Sequence, residues 1–237
     1  MNQDVELDYE PHVGASRQYW RDIVLGINDG LVSMFLLVAG VVGGGLDRGQ
    51  VLLTGIAGAI AGAVSMGAGE YLATKSQAEV LESEIALEKT HIEHFRNREV
   101  AQLYSMFRDI GISEEEMEAT VRAFSRDDQI LLNAMKVMEF GLVDSETRRP
   151  LTAMLMSGSL FLAGSIPAVV PFLFALTPHV ALAIAGGLSA IALFAVGVFK
   201  TFVTRTNPLT SGAENLAIAS LGGLVAYWVG RLVGVAV

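Results

Sequence analysis

The sequence predicts an all-α polytopic membrane protein with five transmembrane helices and a cytoplasmic three-helix insert. Hydrophobic residues make up 52% of the 237 residues and charged residues only 17%, whereas soluble domains carry about a quarter charged residues. Five apolar stretches are long enough to cross a bilayer, because about 20 helical residues span its hydrocarbon core. Most of the charge lies between the second and third of these stretches.

Composition also excludes several classes of function. The net charge of −9 argues against a nucleic-acid partner, because phosphate binding needs a basic face. The chain has no cysteine, so a bound metal must use carboxylate, imidazole, thioether or carbonyl ligands. Residues 1–21 are expected to form an acidic tail rather than a secretory signal peptide, since they lack an apolar core.

Residues 22–74 are predicted to form transmembrane helices 1 and 2. The apolar block 31–46 is too short to span, so we expect the first helix to begin near Ile23 and to include the turn-like tripeptide 28–30. The second span starts at Val51. It is expected to continue as one rod to about Glu99, because no proline or later glycine interrupts it after Gly69.

Residues 75–149 are predicted to form the helical insert. Gly111 suits a helix end, Ser113 and Glu116 suit a capping box, and a third helix is expected from about Asp127 to Leu142. Residues 150–237 hold the last three spans, predicted at 151–176, 180–203 and about 216–237. The distribution of basic residues predicts a cytoplasmic N-terminus and insert, with the C-terminus on the opposite side.

Asp29 is the sharpest functional signal in the membrane part. An aspartate inside a span costs about 2.5–3.5 kcal/mol on the insertion scale, and such residues usually face a pathway or a partner. The alternative is that Asp29 lies close enough to the membrane surface to be wetted. In the second span, Gly62, Met66 and Glu70 share one helix face, so a thioether and a carboxylate could line a path. Packing by Met66 and an interfacial position for Glu70 are equally open.

The insert carries a second candidate metal site. Glu84, Glu88 and His91 form one helical stripe, and Glu139 follows Met135 and Met138 on the third helix. Carboxylates with one imidazole suit Mn²⁺ or Fe²⁺. A solvated face with ordinary ion pairs is the alternative, and the stripe alone favours it.

Three segments resemble the vacuolar iron transporter family: RDIVLGINDGLVS, GAVSMGAGEYLATKSQ and TNPLTSGAENLAIASLGGLVAYWVGRLVG. The resemblance extends from Arg21 onward. It implies a homodimer that exports Fe²⁺, and often Mn²⁺, from the cytosol in exchange for protons. It further implies an ion path between subunits lined by Asp29 and Met66, and metal ligands at Glu88, Glu99, Met135 and Glu139.

This chain departs from the family pattern at three positions. Gly58 stands where plant-type members have a second carboxylate in the second span, and His91 and Arg96 stand where members have further glutamates in the insert. Glu84, His91 and Glu99 are expected to be additional ligands. These differences bear on the number of bound ions and on the choice between iron and manganese.

The resulting hypothesis is a proton-coupled exporter of Fe²⁺ or Mn²⁺, with no prosthetic group and no enzymatic activity, in a plasma or vacuole-like membrane. One alternative is a membrane-anchored metal buffer or sensor that does not transport. Asp29 argues against it, because helices that serve only as an anchor do not need a costly buried charge. A carboxylate-bridged ferroxidase is weaker, because Glu88 and His91 supply a single Glu-x-x-His spacing where di-iron bundles use two.

Overall fold

The computed structural model describes residues 17–141, 148–204 and 206–236, and within these ranges it contains helices and no β-strand. The described helices are α1 Arg17–Gly43, α2 Arg48–Asp109, α3 Glu114–Phe124, α4 Asp128–Met138, α5 Pro150–Val169, α6 Pro178–Thr204 and α7 Pro208–Ala236. A 3-10 helix, Val170–Leu173, follows α5. Helices α1, α2, α6, α7 and the combined α5 and 3-10 segment are long and apolar enough to cross a membrane. The predicted all-α polytopic fold is confirmed.

The chain divides into two compact units. The membrane unit consists of the described residues up to Tyr71 and from Pro150 onward, and the insert unit consists of the described residues within Leu72–Arg149. Helix α2 contributes its first part to the membrane unit and its second part to the insert unit.

Glycines allow the close helix packing in the membrane unit. A Cβ atom on Gly30 would collide with the carbonyl oxygen of Phe161 in α5, and one on Gly164 would collide with the carbonyl oxygen of Ile27 in α1. The backbones of α1 and α5 therefore approach closely at this point, as small residues permit between membrane helices. The tripeptide 28–30 is helical, as expected, and its glycine serves this contact rather than a turn.

Helices α1 and α7 begin well before the residues that the sequence indicated, and α2 begins at Arg48 rather than Val51. Helix α1 is already formed at Arg17 rather than near Ile23, and its Trp20 packs on Phe199 of α6 with ring centroids 5.5 Å apart. Helix α7 begins at Pro208 rather than near Leu216. Asn207 accepts a hydrogen bond from the backbone N–H of Leu209, and proline suits the first helical position, so this polar start is stable.

The prediction that α2 is one uninterrupted helix is wrong at one residue, Phe95. Phe95 has φ −129° and ψ 29°, which interrupts the helix between its first part and the part that ends at Asp109. His94 Nδ1 lies 3.1 Å from the carbonyl oxygen of Thr90, four residues earlier. This contact lies in the turn just before the kink.

The insert unit has its own apolar core. The buried residues that form it come from α2, α3 and α4: Ile92, Leu103, Phe107, Met117, Val121, Leu131, Leu132, Ala134 and Met135. Because residues on both sides of the kink contribute, the kink is part of how this core closes.

The helix boundaries of the insert follow local chemistry, with two corrections. Ser113 does precede α3, but its hydroxyl donates to the Glu116 carboxylate at 2.8 Å and makes no bond to the helix backbone. Helix α4 ends at Met138 rather than Leu142, and Gly141 follows with φ +65°. Leu142 itself lies outside the described residues. Gly111, with φ +94°, ends the preceding helix as expected.

Candidate metal site

The kink at Phe95 brings Glu99 next to two residues from the preceding turns of α2. Glu88 and Glu99 are 11 residues apart, which would separate them by about 16 Å along a straight helix. In the folded insert unit, one ligand atom from each of Glu88, His91 and Glu99 lies within 4.8 Å of the other two. Two metal–oxygen bonds of about 2.4 Å span that distance, so the three side chains could share one divalent ion.

His91 lies between the two carboxylates. Its Nδ1 is 3.6 Å from Glu99 Oε1 and 3.9 Å from Glu88 Oε2. Glu88 and Glu99 are only 4% and 6% exposed, whereas His91 is partly exposed. The cluster is therefore buried on its carboxylate side and open on its imidazole side.

The cluster has unused capacity to accept a cation. Among the described residues, Glu88 Oε1 and Glu99 Oε2 are buried and have no hydrogen-bond partner. Burial, followed by the nearby Glu99 and Glu139 carboxylates, raises the pKa of Glu88 from 4.5 to about 7. Buried carboxylates that repel one another are unfavourable without a counter-charge. A divalent cation would offset both their desolvation cost and their mutual repulsion.

The other predicted ligands of the insert lie in different environments. Glu139 caps the C-terminus of α4 and is exposed, yet its carboxylate is close enough to raise the pKa of Glu88. Met135 is fully buried in the core of the insert unit. Glu84 is exposed and is not part of the three-residue cluster.

Arg96 does not join the cluster but is bound elsewhere in the insert unit. Its Nε donates to Asp128 Oδ1 at 2.8 Å, and its Nη2 donates to the carbonyl oxygen of Ser125. The guanidinium therefore ties the part of α2 after the kink to the start of α4.

In the membrane unit, Asp29 lies on the exposed surface of a single protomer, within the helix that crosses the membrane. The Ser33 hydroxyl, one turn further along α1, donates to Asp29 Oδ1 at 2.7 Å. The helical spacing of four residues could have identified Ser33 from the sequence, but the sequence analysis did not single it out.

Met66 and Glu70 are both partly buried. Met66 packs against an apolar cluster that includes Met34, Ala63 and Phe161, so it has a packing role within the protomer. Glycines 58 and 62 also pack internally, because a Cβ atom on Gly58 would meet Leu37 and one on Gly62 would meet Phe161.

Asp22 is a buried carboxylate that the sequence analysis overlooked. It is 1% exposed, and its Oδ1 lies 3.5 Å from Arg21 Nη2. The feature of the sequence that could have identified Asp22 is its position in the first membrane helix, seven residues before Asp29.

These features define a class of protein: a polytopic helical membrane protein with a separate helical unit that carries a buried carboxylate–imidazole cluster. Comparison with known proteins specifies the class. The chain belongs to the VIT family, whose family model matches residues 20–231.

Individual relatives agree with this assignment over most of their length. The chain is 30% identical to "Vacuolar iron transporter 1" of Oryza sativa subsp. japonica, over 92% of this chain and 87% of the relative. It is 31% identical to "Vacuolar iron transporter 1" of Arabidopsis thaliana, over 90% and 85%. "Protein CCC1" of Saccharomyces cerevisiae is 26% identical, over 90% and 68%.

Proposed function

We propose that this protein is a metal-ion transporter, not an enzyme, and that it exports Fe²⁺ or Mn²⁺ from the cytosol in exchange for protons. The observation that carries the proposal is the cluster of Glu88, His91 and Glu99, in which one buried oxygen of each glutamate has no hydrogen-bond partner among the described residues. Its donor set is oxygen-rich with one imidazole, which suits these two ions. The names of the relatives support iron as cargo.

The membrane step would use Asp29. A carboxylate facing lipid inside a span is unfavourable by about 2.5–3.5 kcal/mol on the insertion scale. In a single protomer this side chain is exposed, and Ser33 is its hydrogen-bond partner. We propose that a second copy of the chain covers this surface, so that the protein is a homodimer with the ion path between its subunits.

Within that path, Asp29 would supply charge and oxygen, and Met66 a soft sulfur that Fe²⁺ accepts better than Mg²⁺ or Ca²⁺. Glu70 would extend the path one turn beyond Met66 towards the insert. A lone charge in a low dielectric is disfavoured, so a proton would replace the metal on Asp29 once the ion leaves. One site that holds either a metal or a proton is a simple basis for antiport.

Uptake into proteoliposomes with an imposed pH gradient tests the transport proposal. Asp29→Asn keeps the shape of the side chain but removes its charge and its exchangeable proton, so we expect it to abolish Fe²⁺ and Mn²⁺ uptake. Asp47→Asn is the matched control, because Asp47 lies in the turn before α2 and asparagine can still accept the hydrogen bond from Gln50 N. Wild-type uptake and proton coupling in Asp29→Asn would rule out the mechanism.

A membrane-anchored metal buffer or sensor is the second candidate, because the cluster lies in a compact unit of its own. The same vesicles separate the two functions. If the wild-type protein is a buffer or sensor, it will bind Mn²⁺, but no Mn²⁺ will accumulate inside the vesicles at any pH gradient.

The orientation is also a proposal. The distribution of basic residues supports a cytoplasmic insert unit and N-terminus, with the C-terminus on the opposite side. The chain has no native cysteine, so a single Ser113→Cys variant reports the side of the insert cleanly. If an impermeant thiol reagent reacted with this cysteine only from the outer side, the proposed topology would be wrong.

A further inference from the structure

Several polar side-chain atoms buried in the described part of the membrane unit have no hydrogen-bond partner. Within the described residues, the buried atoms of this kind are Asn28 Oδ1, Ser157 Oγ, Ser189 Oγ, Ser211 Oγ and Asn215 Nδ2. The three serines are between 1% and 5% exposed. Lipid chains offer no hydrogen bond, so such atoms need a partner within the protein interior.

Another buried serine shows that these hydroxyls had an alternative. Ser165 is 2% exposed, and its hydroxyl donates to the carbonyl oxygen of Phe161 at 2.7 Å, four residues earlier in the same helix. Serines in membrane helices commonly make this bond. Ser157, Ser189 and Ser211 do not make it in the described structure, so their hydroxyls remain available to another molecule.

Most of these atoms lie in the region where α1, α6 and α7 pack together. Gly40 approaches Ala226, and Leu31 shares an apolar cluster with Ala219, so α1 and α7 run side by side in one direction. This register places Asn28 and Asn215 within about one helical turn of each other along the two axes.

The remaining groups lie above and below this pair. At one end of the bundle, Gly197 of α6 packs on Ser211 and Gly212 of α7, and Asp22 is buried one turn and a half before Asn28 in α1. Ser189 lies about two turns further into the membrane along α6 than Gly197. The polar atoms thus follow one another from the end of the bundle towards its middle.

A partly open cavity, with the exposed Ser220 on its rim, lies at the inner end of this series. It has a volume of about 220 Å³ and is lined by residues of all three helices, including Phe35, Ser189, Leu193, Ala219 and Ser220. A water molecule occupies about 30 Å³ in the liquid, so the cavity has room for several. The buried Ser189 hydroxyl gives such waters a polar partner.

We propose that α1, α6 and α7 enclose a chain of ordered water that leads from the end of the bundle near Asp22 and Ser211 to the cavity at Ser189. The chain lies inside one protomer, whereas Asp29 is on the protomer surface. It would hydrate the inner side of α1 directly behind Asp29, through Asn28. If metal export is coupled to protons, this water offers protons a route apart from the metal path.

Cysteine accessibility in the full-length protein tests the proposal without reference to transport. Ser189→Cys, Ser211→Cys and Ser165→Cys would each be placed in the cysteine-free chain, reconstituted in lipid nanodiscs and treated with a small methanethiosulfonate reagent. Ser165→Cys is the control, because it is equally buried but its hydroxyl is bonded internally. We expect Ser189→Cys and Ser211→Cys to react at least ten times faster than Ser165→Cys, as measured by intact mass spectrometry.

Two results would overturn the water chain. Absence of reaction at both Ser189→Cys and Ser211→Cys would show a dry interior, and equal rates at all three positions would show general opening of the bundle. The thermal midpoint of Ser189→Ala is an independent measurement. Loss of a hydroxyl that holds water should leave the midpoint unchanged or lower it, whereas removal of an unpaired hydroxyl from a dry site should raise it.

Discussion

His91 Nδ1 lies 3.6 Å from Glu99 Oε1, although a straight helix would separate these two residues by about 12 Å along its axis. The kink at Phe95 makes this contact possible. It turns two buried carboxylates and one imidazole of a single helix into a cluster that could hold a divalent ion.

Glu99→Gln should weaken Mn²⁺ binding to the full-length protein by at least roughly 10- to 100-fold, because changing a group that only supports the ligands already costs that much and Glu99 is a proposed ligand. Glutamine preserves the size of the side chain but removes the charge that the ion requires. Glu84→Gln is the control, because Glu84 is exposed and outside the cluster. Isothermal titration calorimetry measures both affinities. Equal losses in the two variants would point to diffuse charge rather than a defined site.

The metal-free insert unit should become less stable as pH rises from about 4.5 to about 7. Glu88 has its folded pKa raised to about 7 from 4.5, so over this range the folded state binds more protons than the unfolded state. The free energy of unfolding therefore falls with rising pH, by on the order of 3 kcal/mol at most in total, and levels off above about pH 7.

Hydrogen exchange of residues 80–109 in the full-length, metal-free protein measures this dependence. Glu88→Gln should flatten it and should slow exchange at pH 8 relative to wild type. An unchanged pH profile in Glu88→Gln would assign the dependence to other groups.

Gly30→Ala should destabilise the membrane unit by about 1–3 kcal/mol or more, because the added methyl group meets the backbone of α5, which cannot rotate away. Gly187→Ala is the matched control, since a Cβ atom there has no neighbour within 4 Å and alanine favours the helix. Thermal unfolding in detergent compares the two variants. A similar midpoint for both would contradict close packing of α1 on α5.

Asp127→Ala should destabilise the insert unit by about 0.5–2 kcal/mol, because Asp127 caps α4 by accepting the backbone N–H of Ile130 at 2.9 Å. Ser113→Ala should cost less, since the Ser113 hydroxyl makes no bond to the backbone of α3 and donates to the Glu116 carboxylate instead. Hydrogen exchange at the first turns of α3 and α4 reports each cap separately. A larger effect from Ser113 would reverse the assignment of the two caps.

The number and character of the membrane helices could be predicted from the amino-acid sequence. Apolar length alone identifies a span, because backbone groups in lipid must be satisfied within the helix, and this constraint is local. It also placed Asp29 inside the first span and recognised Gly111 as a helix end. The helix starts at Arg17 and Pro208 were missed, since polar and aromatic residues at a membrane surface carry a weak hydropathy signal.

Which acidic residues form a cluster depends on how the insert unit folds in three dimensions. Helical spacing along an unbroken helix gave the stripe of Glu84, Glu88 and His91, whereas Glu99 was indicated only by the family resemblance. The kink leaves Glu84 outside the cluster and brings Glu99 into it. No proline or glycine lies at that kink, and residues from both parts of α2 pack into the core of the insert unit. Burial of Glu88, Glu99 and Asp22 likewise depends on neighbouring helices, which helical periodicity within one segment cannot reveal.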